Sequence, residues 1–347
     1  MGTHTWELRE AASLPAFAAD SPAATRVVPA HVCQIPRNPD GTLRARAAAR
    51  ITHVVVHVLQ GRYAHAIQSW QRGSACFKPH YVISSGGEIT QVVPERYSAQ
   101  HANQANGYSI GIEHDGFATD PVQFTEAMYA SSAALVRDIC RRYGIPVDRT
   151  RIIGHDDAPG TSHGDPGGYW DWDYYLALVG WNGNPASRPI RVVVDYTSYS
   201  FWPTSDDWTT ASRGAVRHAP HPQHSWGPSY YRVAPTATDR PAVFIADVPA
   251  GGTYEVSAWW PVLGDLNPAV TLRVLVGGSP TAAITTQVDQ TTRRGRTRTT
   301  RALPNTPVWY RLGAVPVGAA ATVSVEVSSR SLRRGWIAAD AIRLLRR

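Results

Sequence analysis

The pattern of hydrophobic and polar positions changes texture along the chain. Residues 1–47 are rich in Ala and Pro without a sustained period, so they read as an extended arm entering the first domain, either wrapped on its core or loose. At 51–59 the run ITHVVVHVL is β-branched and apolar on both faces, the pattern of a central strand covered on both sides. A helical stretch follows at 63–71. HYVIS at 80–84, the turn Gly86-Gly87 and ITQVV at 89–93 predict a hairpin, and SIGIE at 109–113 predicts another short central strand. Thr125 can cap a helix that begins at Glu126. In it Met128, Leu135, Val136, Ile139, Cys140 and Tyr143 recur at helical spacing until Gly144 and Pro146 end it. RIIG at 151–154 reads as a short strand and 172–179 as a last helix. Strands and helices mixed in this order predict an α/β layer domain over 48–180.

Gly, Asn, Ser and Pro in WNGNPASRP mark 181–189 as a linker. Beyond it the helical period vanishes. Short alternating runs at 191–196, 230–233, 242–248, 253–260, 270–276, 308–312, 321–327 and 337–345, many separated by Gly or Pro, predict an all-β sandwich of jelly-roll type over 190–347. A chain of 347 residues is long enough for two such cores.

The composition is ordinary for globular protein, with 43% hydrophobic and 18% charged residues. Twelve Trp and fifteen Tyr either fill the core or line a carbohydrate-binding face. A net charge of +7, carried mostly by Arg, favours an anionic partner, a bacterial wall polymer, a nucleic acid or an acidic membrane surface, and charge alone does not choose among them. Nucleic acid is not expected, because the densest basic run, RRGRTRTTR at 293–301, lies between strand-like segments and reads as a solvated loop. The cysteines Cys33, Cys76 and Cys140 match no close-spaced zinc or redox pattern; Cys33 and Cys76 are candidates for one disulfide, while Cys140 fits a helix's apolar stripe. No segment is apolar for the roughly 18 residues of a membrane span. The opening MGTHTWELREAAS has no signal-peptide pattern, so the chain is expected either to start at a mature end or to be exported by another route.

His57 lies in the first apolar strand, His155 follows RIIG, and Asp165 opens a Asp-Pro-Gly turn ten positions later. Two imidazoles and a carboxylate form a three-ligand zinc set with a fourth position open to water, as in catalytic sites. Spacing alone is weak support, since thirteen His make accidental pairs common and a strand His is usually a core residue.

VVVH, HYVIS with its GG turn, QHANQANGYSIGIE and GHDDAPG leading to DPG occur in an order that resembles the zinc-dependent N-acetylmuramoyl-L-alanine amidases of type 2, the family that includes the peptidoglycan recognition proteins. The resemblance covers about residues 50–180. It implies a mixed, mainly β central sheet flanked by helices, and hydrolysis of the amide between the lactyl group of N-acetylmuramic acid and L-alanine in bacterial peptidoglycan. It also implies one Zn2+ held by His57, His155 and Asp165, with Glu113 at the end of SIGIE as general base; the bland reading of Glu113 is a surface carboxylate. Where many members carry Lys two residues before the third ligand, this chain has His163. A protonated imidazole there can stabilise the oxyanion, so activity is expected to fall toward alkaline pH. His101 and Asn106 fall where members contact substrate, the rival reading being loop structure. His53 and His114 match no ligand motif, and His65 and His80 read as packing or solvent-facing residues. VVVDYTSYSFW, SWGPSYYRVAP and AGGTYEVSAWWP resemble golvesin C-terminal-like domains, which implies attachment to wall or glycan. The expected protein is thus a secreted or wall-associated, endolysin-like, monomeric amidase. Two rivals remain, a non-catalytic peptidoglycan binder and a hydrolase of a peptide bond or a soluble anhydromuropeptide.

Overall fold

The computed structural model describes residues 13–212, 226, 229–292, 309–318 and 321–347, so the basic run at 293–301 lies outside the described residues. The chain divides into two compact units, Met1–Gly167 with Leu178–Gly180, and Gly168–Ala177 with Trp181–Arg347.

In the first unit, β1 (Arg26–Val27), β2 (His53–Val58), β3 (Tyr81–Ile83), β4 (Ile89–Gln91), β5 (Ser109–His114) and β6 (Ile152–Gly154) form one sheet in the order β1-β4-β3-β5-β2-β6. β3 and β4 are the expected antiparallel hairpin. β2 runs parallel to both β5 and β6, and its Val54, Val55 and Val56 are wholly buried. That explains the unbroken apolar run, since parallel strands are covered on both faces. Helices α1 (Tyr63–Arg72) and α2 (Glu126–Tyr143) lie where the 3.6-residue period predicts them. Thr125 Oγ1 accepts the Met128 N–H at 3.1 Å to cap α2, and Gly144 ends it at φ 66°. Burial pushes the Cys140 thiol on α2 up to about 12, which leaves it inert. Helix α3 (Trp172–Gly180), the last predicted one, is divided between the units, with its residues up to Ala177 in the second and Leu178–Gly180 in the first.

The arm is built into this unit from residue 13 onward. β1 extends the sheet in parallel beside β4, and the amides of Val28 and Ala30 donate to the carbonyls of Gln91 and Val92 at 2.9 and 3.0 Å. Leu14, Val28, Ala30 and Ile35 share a core with Ile67 and Trp70 of α1. A disulfide between Cys33 and Cys76 ties arm to core. Beside it lies Lys78, the only lysine among 34 basic residues. Its buried ammonium donates to the carbonyls of Cys33 and Cys76 at 2.9 and 2.8 Å, and burial draws its pKa down to about 8. The disulfide spans 43 positions, a loop whose closure restricts the unfolded chain by about 4 kcal/mol. Reduction is therefore expected to lower the unfolding free energy by that order and to steepen the urea slope as the released unfolded chain exposes more surface, and an unchanged midpoint would show that the arm needs no staple.

The second unit is all-β. Its strands are β7 (Ile190–Asp195), β8 (Phe201–Pro203), β9 (Thr209–Ser212), β10 (Ser229–Val233), β11 (Ala242–Asp247) and β12 (Gly252–Trp259). There follow β13 (Val270–Val276), β14 (Ile284–Val288), β15 (Tyr310–Val317), β16 (Thr322–Val327), β17 (Ile337–Ala339) and β18 (Ala341–Arg346). They form antiparallel sheets ordered β14-β13-β16-β11-β8, β15-β12-β18-β7 and β17-β10-β9. Inward side chains of the two larger sheets, among them Phe244, Val274 and Val325 from one and Tyr254, Val256 and Ile342 from the other, share one sandwich core. Trp259, Trp260 and Tyr254 are core residues, whereas Tyr199 and Trp202 stay exposed. The run at 337–345, expected as one strand, is two: at Asp340 the chain passes from β10 to pair instead with β12 and β7.

Candidate metal centre

The register of β2 and β5 does the first part of the positioning. His57 pairs with Glu113 across the parallel ladder, so both side chains point to the same face of the sheet. β6 lies on the other side of β2 and ends at Gly154, which delivers His155 to the same carboxyl end of the parallel strands. Asp165 is brought back to this edge by its own backbone, whose carbonyl accepts the Asp156 N–H at 2.9 Å, and by its carboxylate, whose Oδ2 accepts the Val58 N–H at 3.2 Å.

His57, His155 and Asp165, all buried, place one ligand atom each within 4.8 Å of one another. His57 Nδ1 lies 3.4 Å from Asp165 Oδ2, and His155 Nδ1 lies 3.1 Å from Asp165 Oδ1. Ligand atoms about 2.0–2.1 Å from a common tetrahedral zinc would stand roughly 3.3 Å apart, so the donor set suits that ion in type, and its two imidazole–carboxylate separations, though not its 4.8 Å limit, match that spacing. This is the one such group among the described residues. Burial draws the His57 imidazole below its ordinary value against the pull of Asp165, which keeps it neutral and able to offer a lone pair. For Asp165 burial works upward, but the hydrogen bond from His155 and the nearby His57 imidazole outweigh it and hold the carboxyl far below the ordinary range.

Glu113 stands in the opposite condition. Burial, reinforced by the charge of Asp165, pushes its carboxyl well above the ordinary value, and its buried Oε2 has no hydrogen-bond partner among the described residues. A buried orphan carboxylate oxygen beside a three-ligand set is poised to hold a proton, the property a general base requires. His163 is different again: its side chain is 64% exposed, stacked on the His155 ring at 4.6 Å, with Nδ1 3.9 Å from Asp165 Oδ1. It reaches the rim of the site from the solvent side.

His101 and Asn106 turn inward. Asn106 Oδ1 accepts the N–H groups of His101 and Ala102 at 2.9 and 2.7 Å, and its amide donates to Gln100 Oε1 at 2.8 Å, so the side chain is spent on the loop. His101 Nδ1 lies 3.0 Å from His57 Nε2, behind the metal-facing side of that ring. His80 is buried and takes the Gly111 N–H on Nδ1, and His114 contacts the His57 carbonyl and Ser132 Oγ at 2.8 Å. Residues that the sequence did not single out are Arg46, whose guanidinium donates to the carbonyls of Asn106 and Ser109 at 3.0 and 2.7 Å, and Ser109 itself. Arg46 sits in the aperiodic arm, where no pattern marks it.

Two family profiles match the chain: one described as N-acetylmuramoyl-L-alanine amidase over residues 47–168, the other as Golvesin C-terminal domain over 192–346. The chain is 37% identical over 158 residues to N-acetylmuramoyl-L-alanine amidase A of Achromobacter lyticus, covering 40% of this chain and 89% of that protein. It is 36% identical over 108 residues to 1,6-anhydro-N-acetylmuramyl-L-alanine amidase AmpD of Haemophilus influenzae, covering 29% of this chain and 57% of that relative. Among solved structures, a selenomethionine derivative of AmpD matches 46% of this chain and 96% of its own at 24% identity, with a TM-score of 0.37.

Proposed function

Because the chain belongs to the N-acetylmuramoyl-L-alanine amidase family, hydrolases of amide C–N bonds, we propose that it cleaves the bond between the lactyl group of N-acetylmuramic acid and the L-alanine of the stem peptide, as a zinc enzyme. The observation that carries this is the convergence of His57, His155 and Asp165 with the partnerless Oε2 of Glu113 at one strand edge. Zinc in this donor set supplies a Lewis acid that polarises the scissile carbonyl and brings the pKa of water to about 7. Glu113, kept ready by burial, takes the proton of the attacking water and returns it to the departing amine of L-alanine. His163, whose exposed imidazole stands at the rim of the site, donates to the developing oxyanion. His101 and Asn106 shape the loop beside the substrate rather than grip it through the atoms they use here.

The second domain and the basic, Arg-rich charge fit a polymeric, anionic wall substrate met outside the cell, which favours intact peptidoglycan over soluble fragments. Digestion of purified peptidoglycan with and without a chelator, with mass analysis of the products, tests the reading. Free stem peptides with new L-alanine N-termini, lost on chelation and restored by zinc, are expected. Intact wall at full zinc occupancy would sink it.

The role of His163 has its own test. Removing one oxyanion donor in other enzymes costs about 10²–10³ in kcat, so His163→Ala is expected to lose activity on that scale. His163→Lys should retain it and extend it to higher pH, because an ammonium keeps its proton where an imidazole has lost it. Superimposable alkaline limbs for parent and Lys variant would exclude the donor role.

A further inference from the structure

The direction of hydrogen bonding behind His57 can be read from its far end. Ser109 Oγ donates to the Ala105 carbonyl at 2.7 Å, which spends its only proton. Its contact with His101 Nε2 at 3.3 Å must then be one in which the imidazole N–H donates and Ser109 accepts. With its proton on Nε2, neutral His101 has a bare Nδ1. That lone pair faces His57 Nε2 at 3.0 Å, so His57 carries its proton on Nε2 and turns a bare Nδ1 toward Asp165 and His155.

We infer that the chain Ala105 carbonyl, Ser109 hydroxyl, His101 and His57 is a one-way relay that fixes the tautomer and ring plane of the first zinc ligand, and that Gly111 is glycine so that the His101 ring can lie where the relay needs it. A Cβ built on Gly111 would stand 2.4 Å from His101 Cγ and Nδ1, closer than any side chain tolerates. No positive φ requires glycine at this position, so the pressure is the ring and not the backbone. The loop is held for the purpose at both ends: Asn106 Oδ1 grips the backbone N–H of His101, and Arg46 grips the carbonyls of Asn106 and Ser109. His101 is thus a positioning residue that acts through His57, and the glycine of SIGIE and the histidine of QHA form one device.

The inference rests on the zinc reading, and the experiment separates the two. Zinc affinity of the full chain is measured by competition with a chromophoric chelator, alongside the melting temperature of the metal-free protein. Partners behind a ligating histidine typically contribute 10–100-fold in metal affinity, so His101→Leu, which keeps bulk and loses the acceptor, is expected to weaken zinc by that factor. His101→Asn, whose Oδ1 can stand in for Nδ1, should recover most of it. Gly111→Ala should weaken zinc like His101→Leu, and in the double variant Gly111→Ala should add little further loss of zinc affinity, because the acceptor that its methyl would displace is already gone. A parent that binds no zinc would overturn the zinc reading and the relay together. A parent that binds zinc, with His101→Leu within about twofold of it, would overturn the relay alone, as would full additivity in the double variant. If His101→Leu does not fold, Gly111→Ala and Ser109→Ala carry the same comparison, and unchanged zinc affinity in both overturns the relay.

Discussion

Replacing Glu113 by Gln is expected to lower kcat by about 10²–10⁴-fold while zinc content stays at the parental level, since the proposed role gives Glu113 the proton of the attacking water and no metal bond. The same substitution should make the metal-free protein more stable at neutral pH. The folded-state carboxyl is raised above its reference value of 4.5 by burial and by the charge of Asp165. An acid shifted in that direction favours folding below its unfolded pKa and loses this contribution as pH rises through the folded value. Gln has no charge to desolvate, so its advantage should appear above about pH 4.5 and vanish in more acid solution. Activity assays, metal analysis and melting curves over pH test both halves. A variant that kept more than about a tenth of the parental kcat would remove Glu113 from the proton path.

Asp165→Ala is expected to abolish turnover and to erase the rise in melting temperature that zinc is expected to give the parent. At free zinc a thousandfold above Kd, binding stabilises the folded state by about 4 kcal/mol. The variant loses the proposed ligand and also the carboxylate that both histidines face, at 3.4 Å from His57 and 3.1 Å from His155. Without metal, the parent should still be the more stable protein near neutral pH. Its depressed Asp165 carboxyl contributes stability above the reference value of 3.8, which is lost as pH falls toward the folded value, so the gap should narrow in acid. A parallel rise of parent and variant on zinc addition would exclude Asp165 as a ligand.

The parts of the fold visible in sequence were those whose burial is periodic or complete. ITHVVVHVL reads as a central strand because β2 is covered on both faces, and the α2 period is visible because one helical face is buried. The edges were not. β14 alternates exposed Thr285 and Gln287 with half-buried Ile284 and Thr286 before one buried residue, Val288, and lies at the edge of its sheet beside β13, while β8 carries Pro203 at the opposite edge, so neither has a sustained hydrophobic signature. The crossing at Asp340 is hidden for the opposite reason, as both β17 and β18 are buried and the run of apolar residues does not pause. The arm is held largely by backbone hydrogen bonds at the edge of the sheet, and a main-chain ladder leaves no mark on side-chain pattern.

At the site, motif order picks out His57, Glu113, His155 and Asp165, which the structure gathers at one edge. It also brings out His101 and Asn106, but their direction was invisible: sequence position says that a side chain is near substrate or metal, and only the hydrogen bonds say which way it faces. Ser109 and Gly111 lie in the same motif and look like strand filler until the ring over them is seen.

The enclosure of Lys78 bears on how the outside of the molecule behaves. With the only ε-amine locked against the disulfide, every other side-chain cation that does not depend on histidine is a guanidinium. Guanidinium groups keep their charge at any pH the protein survives. Any attraction to an anionic polymer should therefore persist in alkaline media and after acylation of accessible amines, treatments that strip the charge from lysine-rich proteins. Any coupling chemistry aimed at surface amines will find none on a side chain.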